Sequence, residues 1–394
     1  MGLMPEGLVL PTRLLPGDWS FWADAVVGGT PFGPVDVSAF TCTSKLSDFG
    51  TGSVTLDLPS GLPPGQEIRL WTWRLWAYYD GQPLWCGVPT GITDTASAQV
   101  ALTLTELPGY LGKRQFDVNP SKIYTQVEQV TIAGDLAAPL ADVGVSVVTQ
   151  AGAGTLRDRE YDYLQGGSRA QLLTELSQVI GGPEFRAEYA QVAGRPHCTL
   201  RIAYPRVGSG LASLGAQIPG SALDYSAAWD SDQLRTHTFA VGDVPATAAA
   251  NTPTPVAIVD APQADRPRLD AIDNWPGTVL TSTLKEKAAA ASLQYAGPVL
   301  SLTVKPSEVL PSLLTYAVGD DVTVRVVTPL IPAGLVVTGR LIQLDIDAAA
   351  GTAAWTIAVT LPSPRPRETI ARRLNRLDLT LNNVWHSGPT TVVP

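Results

Sequence analysis

The chain has 394 residues, more than one compact core normally holds, which predicts two to four domains. It is 45% hydrophobic and only 16% charged, with 10 Trp and 11 Tyr, so wholesale disorder is excluded and part of the surface is expected to be covered by other subunits. The net charge of −9 argues against a protein that grips nucleic acid by its phosphates, although an acidic wall suits a channel through which DNA slides without sticking.

No run of 18 apolar residues is present, so no membrane span is expected. The N-terminal MGLMPEGLVLPTRLLPG has prolines and an acid where a signal peptide needs a basic start and an apolar core. Residues 53–58 alternate Val54, Leu56 and Leu58 with Ser53, Thr55 and Asp57, the period of a strand with one face buried. Residues 67–79 (EIRLWTWRLWAYY) predict a long aromatic strand. Asp80-Gly81 then supplies a tight hairpin turn, since both central residues of that turn need positive φ, and residues 83–88 return. Residues 99–105 alternate again, completing a four-strand meander long enough to curl into a small barrel.

Asn119-Pro120 reads as the N-cap and first position of a helical stretch to about Leu140, broken at Gly134. Residues 169–180 form the clearest helix, with Ser168 and Gln171 as a capping box and Leu172, Leu173, Leu176, Val179 and Ile180 as one apolar face. Gly181-Gly182-Pro183 ends it. Two alternating strands follow, residues 184–192 and 197–204, joined by the turn at residues 193–196. Residues 241–270 are rich in Ala, Pro and Thr and read as a long loop or linker. Strands resume at residues 300–305, 321–328, 335–347 and 353–361. Beyond the proline-rich break at residues 362–366 lies a basic amphipathic helix, roughly 367–377, then a polar tail.

The two strand regions resemble one another. Gly65 and Gly87 of the first stand 22 residues apart, Gly319 and Gly339 of the second 20, and GQEIRLWTW aligns with GDDVTVRVV without a gap. A chain carrying one barrel twice closes, as a trimer, a ring of six near-equivalent units. Such a ring matches a six-fold partner while its other face keeps three-fold symmetry, so a symmetry adaptor is the expected function.

The segment PLWCGVPTGITDTASAQVALTLTELPGYLGKRQF, with Trp85, Gly87, the strand at residues 100–105, Tyr110-Leu111 and Arg114, resembles the first-barrel signature of baseplate-hub or tail-associated minor tail proteins of long-tailed (siphovirus) actinobacteriophages. LLTELSQVIGGPEFRAEY is similar to that family's helix followed by Gly-Gly-Pro-Glu-aromatic, with Phe185 where the family usually has Trp. GDDVTVRV at residues 319–326 resembles the start of its second barrel. The resemblance spans about residues 53–361. It implies a virion structural protein at the tail tip: a homotrimeric hub beneath the hexameric distal tail ring, with a DNA channel on its axis that serves DNA ejection. It also implies the distal tail protein, the tape measure protein and other minor tail or tip proteins as partners, with DNA passing unbound. An additional C-terminal enzymatic or fibre domain, which some of that family carry, is not expected.

The fold expected is mainly β with α+β insertions. It places a first hub β-barrel at 1–115, an α+β insertion at 116–205, a linker or loop-rich region that contributes to the second barrel at 206–299, a second hub β-barrel at 300–362, and a basic helix and tail at 363–394. Neither an enzyme nor a cofactor or metal is expected. His197, His237 and His386 lack partners at helical spacing, no G-x-S-x-G elbow or P-loop occurs, and Cys42, Cys86 and Cys198 read as core residues. The carboxylate pairs Asp158 with Glu160 and Asp345 with Asp347 share a face of extended chain, as in glycosidases, without sugar-binding signals near them. Asp320-Asp321 reads as a strand start. On the aromatic strand Trp71, Trp73, Leu75 and Tyr79 face one way and Arg74, Trp76 and Tyr78 the other. Burial on both faces is expected, with Trp76 or Tyr78 at an inter-domain or inter-subunit contact. The alternative is a carbohydrate- or receptor-binding tail module that uses these rings. Arg365, Arg367, Arg372, Arg373 and Arg376, with the stripe Ile370, Leu374 and Leu377, read either as a solvated helix face or as an arm that docks on an acidic neighbour, its own subunit, another subunit or a partner, through its proline-rich tether.

Overall fold

Period-two alternation governs most of this chain. The computed structural model describes residues 18–58, 68–94, 99–117, 121–150, 155–162, 167–179, 181–208, 212–217, 223–230, 235–242, 244, 253–260, 267–275, 280–294, 299–306, 317–328 and 331–358, and it is mainly β. The N-terminal strands are β1 (Trp19–Ala25), β2 (Pro31–Pro34), β3 (Val37–Lys45), β4 (Thr51–Asp57), β5 (Trp73–Tyr79), β6 (Gln82–Asp94) and β7 (Gln99–Glu106). A mixed segment follows: β8 (Ser121–Glu128), α1 (Gln129–Ala137), β9 (Ser146–Gln150), β10 (Leu156–Asp162), α2 (Arg169–Gln178), β11 (Glu184–Val192) and β12 (Arg195–Ala203). Next come β13 (Ala212–Gln217), β14 (Leu223–Asp230), β15 (His237–Val241), β16 (Val256–Asp260), β17 (Asp270–Asn274) and α3 (Thr281–Gln294). The last strands are β18 (Val299–Pro306), β19 (Asp321–Thr328), β20 (Ile331–Asp347) and β21 (Thr352–Ala358).

Thirteen strands share one sheet in the order β14-β18-β21-β20-β3-β4-β7-β6-β5-β1-β2, with β19 beside β20 and β13 beside β19. Among the described residues this path does not close on itself. The two strand units are joined edge to edge where β20 meets β3.

One pairing order occurs twice in it. The run β3-β4-β7-β6-β5 is antiparallel throughout, and β14-β18-β21-β20-β19 repeats it pair for pair. The bulges coincide as well: register shifts across Thr90 on β6 and across Ile342 on β20, each three residues after Gly87 or Gly339. Gly87 faces Leu75 and Gly339 faces Val322, so those two glycines do correspond. The other glycine pair does not. Strand register matches Gly319 to Thr72, not to Gly65, because the residues before Trp73 form a turn and not the first half of a long strand. That turn has its own counterpart. Trp71 (φ 63) donates its N–H to Pro89 O, and Gly319 (φ 95) donates to Leu341 O, the carbonyl two residues after the matched glycine in each unit.

The hairpin at Asp80-Gly81 forms with φ of 48 and 71, as its residues require. Ser168 Oγ accepts the Gln171 N–H at 3.3 Å at the start of α2. Between residues 121 and 128, however, the chain is strand and not helix. Ile123, Tyr124, Thr125 and Val127 favour extended backbone, and β8 pairs antiparallel with β10. Helix begins only at Gln129, while residues 118–120 lie outside the described ones. In the mixed segment β12 lies between β11 and β9, α1 packs on β9 and β12, and α2 packs on α1. Ile132, Leu136, Leu173 and Leu176 thereby share a core with Phe185, Leu200 and Ile202, and Trp76, Cys86 and Val88 enter it from the large sheet.

The expected linker holds structure of its own. β16-β15-β17 form a small sheet on which α3 packs Leu284 and Ala288 against Ala240 and Ala257. Three strands of five residues and a helix face built on alanine give little periodic contrast, which is why composition alone reads the region as loop. Residues 359–394, including the whole basic arm, lie outside the described residues.

Candidate functional site

Each strand of the large sheet has two faces, and β5 shows what they hold. Trp73, Leu75, Ala77 and Tyr79 enter the core between β1, β3, β4 and β7, while Trp76 enters the core shared with the mixed segment, where its ring meets Tyr189 of β11 edge-on at 6.4 Å. Trp76 is 1% exposed and Trp73 2%, so neither ring offers a face to a sugar or to a second subunit. Tyr78 is half-buried against the same second core. Trp71 lies off the strand and packs toward that second core, against Tyr110 at 6.1 Å, instead of continuing the Trp73 face. Arg367, Arg372, Arg373 and Arg376 fall outside the described residues.

Among the described residues, buried polar joints fix the mixed segment to the sheet. In the first, Arg74 makes a forked pair with Asp24 at 2.6 and 2.9 Å, donates to Val143 O at 3.2 Å, and leaves Asp24 to accept Trp76 Nε1 at 3.3 Å. In the second, Glu106 at the end of β7 accepts the Gly50 N–H at 2.8 Å and the Tyr189 hydroxyl at 2.7 Å. Burial raises its carboxyl to about 7, against the opposing pull of those hydrogen bonds and of Ser44. In the third, Arg340 of β20 pairs with Asp321 at 3.1 Å and with Glu184, and donates to Val207 O at 2.6 Å. Arg206 completes it by pairing with the other oxygen of Asp321. Burial raises the Glu184 carboxyl, and the Arg340 guanidinium works against that rise. The first and third joints occupy matched places in the two units, since Arg74 and Asp321 correspond by strand register.

Three of the four carboxylates considered for glycoside chemistry have structural partners. Asp158 accepts Gln126 N at 2.8 Å, Asp345 accepts the Thr43 hydroxyl at 2.8 Å, and Asp347 accepts Ala350 N at 3.0 Å. Asp321 opens β19 as expected. His197 bonds Ser146 Oγ at 2.8 Å and His237 pairs with Asp260. Cys42, Cys86 and Cys198 are buried free thiols whose ionisation burial pushes well up. Among the described residues, no three His, Cys, Asp or Glu side chains converge as metal ligands, and no helix is long and apolar enough to cross a membrane. Sequence reading missed Asp24, Glu106, Glu184 and Arg340. The only local signal was Arg340, a charge that follows the apolar and small-residue run at residues 331–339 of β20.

These features amount to a scaffold: a duplicated sheet with an insertion locked onto it by buried charges. The fold is that of phage and prophage tail proteins. A tail protein from Neisseria meningitidis MC58 has a TM-score of 0.59 at 14% identity, covering 88% of this chain and 99% of that one. The 43 kDa tail protein of prophage MuSo2 from Shewanella oneidensis gives 0.58 at 13%, again over 88% and 99%. Prophage tail protein gp18 from Listeria monocytogenes EGD-e gives 0.53 at 11%, over 91% and 99%. At these identities the likeness is one of fold. No model of a protein family and no curated protein sequence matches the chain.

Proposed function

We propose that this chain is a structural subunit of a phage tail tip, a hub that assembles as a homotrimer and is not an enzyme. The observation that carries this reading is the duplicated pairing order, which lets three chains present six similar strand units. In the assembled ring the two units of each chain curl as tube-like barrels around an axial channel. The six-fold face meets the distal tail ring, the three-fold face meets other tip proteins, and the tape measure protein ends in the lumen. The net charge of −9 favours passage of DNA over its retention. The fold shared with tail proteins supports the same placement. Burial of Trp73 and Trp76 removes the platform on which a sugar-binding role was to rest.

Native mass of the purified full chain tests the proposal. A species of three chains is expected. A chain that stays monomeric at micromolar concentration, and in the presence of its tail neighbours, would contradict it.

A further inference from the structure

Among the described residues, the two units of the chain meet at a seam where residues 343–347 of β20 pair antiparallel with residues 41–45 of β3. Strand register gives both partners a counterpart. Phe40 faces Val54 of β4 just as Tyr225 faces Val304 of β18, so β3 corresponds to β14. Gly87 corresponds to Gly339, so residues 91–94 of β6 stand where residues 343–346 of β20 stand. The seam therefore has a second, unfilled version. Among the described residues, 91–94 pair only with β7, and β14 pairs only with β18 and ends the sheet.

We propose that residues 91–94 of one chain receive residues 227–230 of a second copy as an antiparallel strand, repeating between chains the seam that exists within each. The register follows from the internal one: Gly91 faces Asp230, Ile92 faces Trp229, Thr93 faces Ala228 and Asp94 faces Ala227. This inference rests on the ring reading above and names the contact that closes the ring. Two observations support it beyond the register. Ile92 is 40% exposed, whereas Leu344, which holds the matching place in the filled seam, is 8% exposed and part of the core. The opposite end of the sheet is closed to such pairing. β2 carries Pro31 and Pro34, which cannot donate to a ladder, whereas residues 91–94 and 227–230 contain no proline. Because the two edges are different surfaces, the contact is head-to-tail, the kind that generates a ring when its rotation closes.

Paired cysteines in the full-length chain test it. On oxidation T93C/A228C is expected to give covalent dimers and trimers on a denaturing gel, while the off-register pair T93C/D224C gives none. T43C/D345C, at the matching positions of the internal seam, links within one chain and reports that the geometry accepts a disulfide. Ile92→Lys, a change at an exposed position, is expected to abolish the trimer while the chain keeps the strand signal of the folded protein in circular dichroism. A native trimer in which T43C/D345C links but T93C/A228C does not would overturn this pairing and leave the hub reading standing. A monomeric native mass would overturn both.

Discussion

Glu106 is a carboxyl buried at the point where β7, the Gly50 backbone and Tyr189 of β11 meet, and its proton is held up to about pH 7 by that burial. The folded state thus binds this proton more tightly than the unfolded chain does. Its stabilising contribution is complete below the ordinary carboxylate range and is lost as pH rises from about 4.5 to about 7. Glu106→Gln keeps a carbonyl acceptor for the Gly50 N–H and turns its amide N–H toward the Tyr189 hydroxyl, which then accepts, without the charge. It is expected to match the wild type at pH 4 and to exceed it by about 3 kcal/mol at pH 8, as measured by denaturant unfolding across that range. Equal pH profiles for the two proteins would show that the carboxyl is not buried as described. Arg340 and Glu184 pose the same problem in another form. Removing one member of a buried ion pair typically costs about 3–5 kcal/mol, so such groups fix one docking arrangement more than they add stability.

At the scale of elements, Gly87 illustrates how a repeat marker acquires a reason. A Cβ there would stand 2.2 Å from the Trp85 indole and 3.0 Å from Thr105 O, and Trp85 is fully buried. Gly87→Ala is therefore expected to lower stability by about 1–3 kcal/mol, read as a fall in Tm without loss of the strand signal in circular dichroism. A neutral result would mean that Trp85 has another rotamer available. Strands with one wet face were legible from the sequence, because Val54 with Leu56, or Leu102 with Leu104, announces both the strand and its inward side. The cap of α2 was legible for the same reason: Ser168 acts on a neighbour three residues away. β8 was not, since its extended state depends on β10, a partner supplied far along the chain. The polar joints were illegible as pairs. Glu184 and Arg340 lie 156 residues apart, and neither residue carries a local sign of the other.

For the whole molecule, the sequence disclosed the duplication through Gly87 and Gly339 but misplaced its start, because Gly65 was matched on spacing while the backbone matches Trp71 and Thr72 to the region of Gly319. Two bulges at matched places are stronger support, since an extra residue three positions after a glycine has no reason to recur in unrelated sheets. The insertion then contacts both units, through Glu106 and Arg74 in one and Arg340 in the other, and so braces the two across their seam. A brace of that kind is what a subunit needs if six units are to lie on one circle. Electron-microscopic averages of the purified assembly, viewed down its axis, test this most directly. The account predicts three-fold particles whose inner ring shows six similar lobes. Two-fold particles, or a three-fold ring with only three lobes, would contradict it.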